Sequence, residues 1–428
     1  MSASTASTGA AIPGTLTRDA MTPDRSHLRD RAAIVGIGST AFTRRSGVGV
    51  DQLAVEAAGK ALDDAGLSAS EIDGVIAYPS GARAEDVVVP MGLENVTYSG
   101  TVQIGGASGV SSLQLAVSAI ASGMANTVLV FIARNGSSES RIGSRIASIL
   151  PSPQLREAFE HPAGLYSPAQ QYSIICRRHM HEYGTRRGDL AEVALTMRDN
   201  AQLNPDAQMY GRPLTMQQYL ESRPIADPYL LADCCLETDG AVAVIVRAAD
   251  QVTDPQRAVY ISGLGEGRPP SGDDLSNRDP YFDVGLTTAA PRAFEMAGIT
   301  VDDLDIAFIY DCFTFEVIQQ LEELGACPRG EGGRFVREGN IRRDGRLPVN
   351  PNGGLMAEGH MGGLGHVAEA VRQLRGEAGD RQIDGAQRTA VTGWGDFGDG
   401  SIAILTAAST RAAAPTRAAT SSHDGSAS

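Results

Sequence analysis

No stretch of the 428-residue chain comes near the ~18 consecutive apolar residues that a membrane-crossing helix requires, so no span is expected. Positive charge is in short supply. Thirty-six Lys and Arg against 51 Asp and Glu leave a formal net charge of −15, a field that repels phosphate backbones and excludes nucleic acid as the expected partner. Cysteine is sparse: the five, Cys176, Cys234, Cys235, Cys312 and Cys327, form no CxxC pair and are odd in number. Neither a disulfide framework nor a zinc site is therefore expected, and nothing calls for a metal or a permanently bound cofactor. The amino-terminal stretch lacks both a charged n-region and an apolar h-region, which points to a cytoplasmic location. Large apolar side chains are nearly missing from residues 1–31 and 409–428, which read as disordered Ala/Ser/Thr-rich tails. What remains is not poor in hydrophobic residues: at 42% the chain can bury large cores, and a disordered or fibrous protein is excluded.

Between the tails, short apolar runs alternate with helical periodicity, an α/β pattern expected to build helices on a largely parallel sheet. AAIVGIGS (32–39), GVIAY (74–78), TVLVFIA (127–133), AVAVIV (241–246), AVYISGLG (258–265), IAFIY (306–310) and SIAILTA (401–407) read as strands, and DQLAVEAAGKALDDAG (51–66) as a helix stopped by Gly66. The chain also repeats itself. At an offset of 232, ALDDAGLSASEIDGVIAY (61–78) lies against AFEMAGITVDDLDIAFIY (293–310), so that Tyr78 matches Tyr310. At an offset of 254, GGASGVSSLQLAVSAI (105–120) faces GHMGGLGHVAEAVRQL (359–374), each a Gly-rich turn leading into an amphipathic helix, with Gly106 opposite His360. Each unit is too small to close a core alone, so two copies mean a duplicated domain. The halves are placed at 32–256 and 257–408, with 325–354 inserted in the second. The polar stretch about 137–230 is expected to form a helical cap over a site.

With these blocks in view, the chain resembles the thiolase superfamily, and within it the branch of lipid-transfer-protein-like thiolases and steroid side-chain aldolases. The resemblance runs over roughly 32–407 and is carried by AAIVGIGSTAFTRR, RRGDLAEVALTMRDNAQLNP, YDCFTFEVIQQLEELG and NGGLMAEGHMGGLGHVAEAVRQLRG. It implies a duplicated, five-layered α-β-α-β-α fold with an inserted cap, an acyl-CoA substrate that brings coenzyme A with it, a homodimer, and a small partner protein with an OB fold and a zinc ribbon.

The catalytic positions depart from thiolases proper. Where those carry a nucleophilic Cys, in a C-A-S-G type motif, this chain has Gly106 in GGASG, and a glycine has nothing to acylate. Where they carry a second Cys, the stretch VTGWGDFGDGSIAIL (391–405) has none. Tyr310 opens YDCF, and His360 survives in GHMGG, at a place where the aldolases carry a Tyr. The resemblance thus implies a site of Tyr310 and His360 that exchanges protons without sulfur. Backbone N–H groups at Gly106 and Gly393 would receive the thioester oxygen as it becomes an enolate. Phenol and imidazole can exchange the roles of acid and base; by reference pKa the imidazole is the better base near neutrality. Asp311 and His366 stand as supporting candidates, Asp311 equally as the cap of a neighbouring turn. Arg134 and Arg141 are candidates for the CoA phosphates. His179 and His181 have a metal-like spacing but no third ligand, and Cys312 reads as a buried, inert thiol. Three readings stay open: retro-aldol cleavage of a bulky β-hydroxyacyl-CoA to a ketone and a short acyl-CoA, a thiolase-type acyl transfer, and a non-catalytic acyl-CoA-binding subunit.

Overall fold

A computed structural model describes residues 24–78, 80–138, 156–269, 278–395 and 398–412. In chain order the first half contributes β1 (Ala32–Ser39), α1 (Val50–Ala65), β2 (Gly74–Tyr78), β3 (Tyr98–Thr101), α2 (Ser108–Ala121) and β4 (Thr127–Asn135). The cap supplies α3 (Pro168–Tyr183) and α4 (Arg187–Ala201), after which β5 (Asp239–Ala248) returns to the sheet. The second half has β6 (Val259–Gly267), α5 (Gly285–Ala297), β7 (Ile306–Phe308), α6 (Thr314–Glu323), α7 (Leu364–Arg375), β8 (Arg388–Trp394) and β9 (Gly400–Ala407).

Among the described residues, nine strands form one sheet in the order β3-β2-β4-β5-β1-β6-β9-β8-β7. The order is the same read outward from the centre in either direction: first strand, last strand, then the strands around the Gly-rich helix. The halves join where β1 and β6 pair through Ala33–Tyr260 and Ile34–Val259. The duplication seen in the sequence is therefore a pseudo-two-fold axis. Each matched block is a helix closed by a left-handed glycine, Gly66 at φ 63° after α1 and Gly298 at φ 68° after α5, then an acidic linker and a buried strand. The sheet is not largely parallel. β2 runs parallel to β3 and β4, and β7 to β8, but the other five pairings are antiparallel. The long cap lets the chain re-enter the sheet in either direction, which strand-helix alternation cannot reveal.

The layers follow from which strand faces are apolar. α1 lays Leu53, Ala57 and Ala61 on Val75, Leu129 and Ile245. α5 lays Leu286, Ala289 and Ala293 on Ile402 and Ile404. α2 and α7 lie between the halves: Leu113, Val117, Val367 and Val371 share one core with Ile76, Val130 and Val244 on one side and Phe308, Val391 and Leu405 on the other. Successive residues such as Ile404 and Leu405 thus enter different cores, giving five layers. The G-x-G-x-G of β6 serves this packing: a Cβ on Gly263, Gly265 or Gly267 would come within 2.2 Å of a carbonyl oxygen of α5.

The cap is no loose cover. Tyr172, Ile175, Leu190 and Met197 belong to the same buried cluster as Phe313, Phe315 and Ile318 of the second half. Residues 24–31 and 409–412, assigned to tails by composition, are ordered. Ser26–Leu28 makes a 3-10 turn, and the Asp30 N–H donates to the Ile261 carbonyl at 3.1 Å while its carboxylate accepts from Ser262 Oγ at 2.6 Å. Residues 409–412 continue the short helix Ala408–Ala412. Hydrogen bonds, from residues 24–31 to β6 and from Ser409 and Thr410 to Gln387, hold these polar segments where hydrophobicity gives no sign of it.

One buried group sets a pH dependence. The Glu316 carboxyl lies 3.3 Å from the Tyr229 phenol, and burial pushes its pKa up from 4.5 to about 8. Below its unfolded pKa both states are protonated. As pH rises toward its folded pKa only the unfolded chain releases the proton, so stability falls across that window. Glu316→Gln is expected to lose this pH dependence: urea unfolding at about pH 5 and about pH 8 should differ less in the variant than in the parent, a tenfold change in proton affinity being worth about 1.4 kcal/mol. An unchanged difference would show that Glu316 ionises normally.

Candidate active site

The Gly-rich turns bring the amino ends of α2 and α7 into contact: a Cβ on Gly109 would lie 2.3 Å from the Gly362 carbonyl oxygen. Tyr310 emerges beside them, just past the end of β7. Its N–H donates to Thr392 Oγ1 at 3.1 Å, its carbonyl accepts from Gln320 Nε2 at 2.8 Å, and Thr392 Oγ1 donates to Gln320 Oε1 at 2.6 Å. That closed triangle of α6, β7 and β8 fixes the backbone of the tyrosine. The phenol hydroxyl reaches His360 Nε2 at 3.2 Å, with the rings perpendicular. The two side chains that the sequence singles out are in contact, and both are buried.

His360 is braced from both halves and from the cap. Its N–H donates to Thr238 Oγ1 at 2.9 Å, and that oxygen also accepts from Gln208 Nε2 at 2.7 Å. Arg134, at the end of β4, donates from Nη1 to His360 Nδ1 and, at 3.2 Å, to the His360 carbonyl, while Nε and Nη2 reach Ser80 Oγ at 3.1 and 2.8 Å. Arg134, proposed from sequence for the CoA phosphates, is thus a buried part of the site, with Nε, Nη1 and Nη2 all engaged by Ser80 and His360. Arg141 lies outside the described residues.

Gly106 explains the loss of the nucleophile. A Cβ there would stand 2.2 Å from both Cζ and Oη of Tyr310 and 2.3 Å from the Trp394 carbonyl oxygen. The phenol occupies the space a side chain at 106 would need, so tyrosine and cysteine exclude each other. Burial raises the Tyr310 pKa well above its ordinary value, with the Tyr78 phenol, its repeat counterpart, adding to the effect. Every cysteine thiol is raised too, first by burial: Cys234 and Cys327 to about 12, and Cys176, Cys235 and Cys312 well above the ordinary thiol range. A thiolate nucleophile is accordingly disfavoured throughout. Cys312→Ala is expected to leave turnover within about twofold of the parent, and covalent labelling of Cys312 by an acyl-CoA would contradict this.

The remaining candidates fall elsewhere. Gly393 is inside β8 opposite Ser401, where a Cβ would meet Ser401 Oγ at 2.4 Å and Ala107 Cα at 2.8 Å. Close packing accounts for it, and it is the following residue, Trp394, that borders Gly106. Asp311 accepts from the N–H groups of Leu355 and Met356 at 2.8 and 3.1 Å and from His366 Nε2 at 3.1 Å. It ties the short helix Gly354–Ala357 to α7 beneath the site, with His366 as its partner. His179 spends both ring nitrogens on Thr185 and Glu322, at 2.8 and 3.2 Å, which explains the spacing as structure. Among the described residues no cluster of His, Cys, Asp or Glu could hold a metal, and no helix is long and apolar enough to cross a membrane.

Residues 32–222 match the thiolase amino-terminal domain and 271–407 the thiolase carboxy-terminal domain-like family. A 17-hydroxy-3-oxo-4-pregnene-20-carboxyl-CoA lyase of Mycobacterium tuberculosis is 38% identical over 82% of this chain and 92% of its own. The chain belongs to the thiolase superfamily. Within it, the steroid side-chain aldolase branch is the one these relatives share: the Ltp2-ChsH2(DUF35) aldolase superposes with a TM-score of 0.82 at 34% identity, covering 89% of this chain and 99% of that one. An acetyl-CoA acetyltransferase of Methanothermobacter thermautotrophicus is 34% identical over 84% of this chain and 94% of its own. Against this thiolase-like background, Ser80, Thr238, Gln320 and Thr392 are the functional neighbours that the sequence did not reveal. Gln320 lies within YDCFTFEVIQQLEELG and Thr392 within VTGWGDFGDGSIAIL, but neither position marks itself as part of the site, Ser80 and Thr238 lie outside every quoted motif, and only the fold brings the four to the site.

Proposed function

We propose that the protein cleaves the Cα–Cβ bond of a bulky β-hydroxyacyl-CoA by retro-aldol chemistry, giving a ketone and a shorter acyl-CoA. The observation that carries this reading is the Tyr310 phenol, bonded to His360 and standing in the side-chain space of residue 106. Retro-aldol cleavage needs a group that takes the β-hydroxyl proton, donors for the enolate oxygen, and a proton returned to the α-carbon. The Tyr310–His360 pair exchanges the proton, and the convergent amino ends of α2 and α7, at Gly106 and Gly363, supply dipoles for the thioester oxygen. Because the product is a ketone, the β-carbon of the substrate bears no hydrogen. Coenzyme A enters and leaves as part of substrate and product.

The aldolase named above is a complex with a DUF35 protein, which supports a small partner for this chain as well. We further propose a homodimer, a cytoplasmic location, and a division of the halves near residue 256. Incubation with a tertiary β-hydroxyacyl-CoA, with and without a DUF35 partner, tests the reaction. Ketone and shortened acyl-CoA appearing without uptake of free CoA are expected. Consumption of free CoA with a 3-ketoacyl-CoA would instead favour the acyltransferase, and binding without turnover the acyl-CoA carrier.

A further inference from the structure

The site holds one more charged group than proton exchange between a phenol and an imidazole requires. Arg134 is 7% exposed, and its guanidinium is divided between two tasks. Nε and Nη2 both hold Ser80 Oγ, and Nη1 meets His360 Nδ1 at 2.5 Å and the His360 carbonyl at 3.2 Å. Arginine has donors and no acceptor, so the atom of His360 that faces it must present a lone pair. In a neutral imidazole the proton then belongs to the other nitrogen, the one 3.2 Å from Tyr310 Oη.

We infer that Arg134 is a positioning residue that holds His360 as an Nε2–H donor to Tyr310 Oη, leaving the tyrosine hydroxyl as the group that exchanges protons with substrate. The inference rests on the retro-aldol reading for its effect on turnover, though not for the tautomer itself. It assigns the roles that the residue types leave open. With one nitrogen facing a guanidinium and the other protonated, His360 is not the base. Tyr310 Oη accepts the β-hydroxyl proton as it delivers its own proton to the α-carbon. The β O–H and Cα–Cβ bonds break, the β C=O and α C–H bonds form, and the phenol is neutral before and after. Negative charge that gathers on Oη during the transfer meets the Nε2–H, with the guanidinium charge behind it. A phenol whose ionisation burial opposes suits a relay that never rests as phenolate.

Imidazole 15N resonances of the unmodified protein, with His360 assigned by its absence in His360→Ala, test the tautomer directly. We expect Nδ1 at the position of an unprotonated nitrogen and Nε2 at that of a protonated one. A protonated Nδ1 would overturn the inference. Arg134→Met should lose the single-tautomer signature and lower kcat about 10²-fold with little change in KM, and Arg134→Lys, which restores one donor, should recover much of both. An Arg134→Met protein that loses turnover but keeps the parent tautomer would reduce the arginine to a structural role and overturn the inference as well. If the unmodified protein shows the expected tautomer and cleaves no β-hydroxyacyl-CoA, it is the retro-aldol reading that fails, and the role of Arg134 in setting the tautomer stands.

Discussion

Tyr310→Phe is expected to lower turnover of a β-hydroxyacyl-CoA by about 10²-fold or more while leaving KM close to that of the parent, the scale on which a single acid-base group acts. The ring that fills the space beside Gly106 stays in place, so the substrate still meets the same walls. What is lost is the oxygen 3.2 Å from His360 Nε2. Leaving that nitrogen buried without its acceptor costs about 1–3 kcal/mol of stability, which denaturant unfolding will register separately from activity. His360→Ala acts on the same transfer, so the double variant should be little worse than either single one. Parent-level turnover in Tyr310→Phe would remove the phenol from the chemistry.

Gly106→Cys returns a sulfur to the place where thiolases keep their nucleophile, and it is expected to abolish cleavage without creating thiolysis. The new Cβ would stand 2.2 Å from the Tyr310 phenol and 2.3 Å from the Trp394 carbonyl oxygen, distances no pair of heavy atoms tolerates. The tyrosine must leave its position, with an overpacking cost of about 1–3 kcal/mol in a well-filled interior. Tyr310→Ala in the same chain removes one of the two clashes. Gly106→Cys combined with Tyr310→Ala should therefore be more stable than the two single effects added together, and a double-mutant cycle in urea reads that coupling. Strict additivity, or a Gly106→Cys protein with parent stability and turnover, would mean that the two side chains do not compete for this volume.

Much of the architecture was legible before any coordinates. Apolar runs placed β1 and β2 to the residue, and the acidic linkers between helix and strand revealed a duplication that the sheet repeats about its centre. Tyr310 and His360 could be singled out because each stands where a related motif keeps a catalytic group. Strand direction was illegible, because the cap can return the chain to the sheet either way, and β3 and β8 were missed because Tyr98–Thr101 and Arg388–Trp394 mix polar or small residues into short runs. That Arg134 is buried against the site was illegible, because an arginine in a polar stretch carries no mark of burial. Its true neighbours, Ser80 and His360, are 54 and 226 residues away.

By itself, the sequence determined that this is a doubled α/β protein lacking a cysteine at both positions where thiolases keep one, since the repeat and the missing cysteines are properties of the chain. Only the tertiary structure decided why a glycine stands at 106, which nitrogen of His360 faces Tyr310, and that Arg134 belongs to the site. Those depend on distances between residues remote in sequence, which packing of the two halves sets and no local pattern encodes.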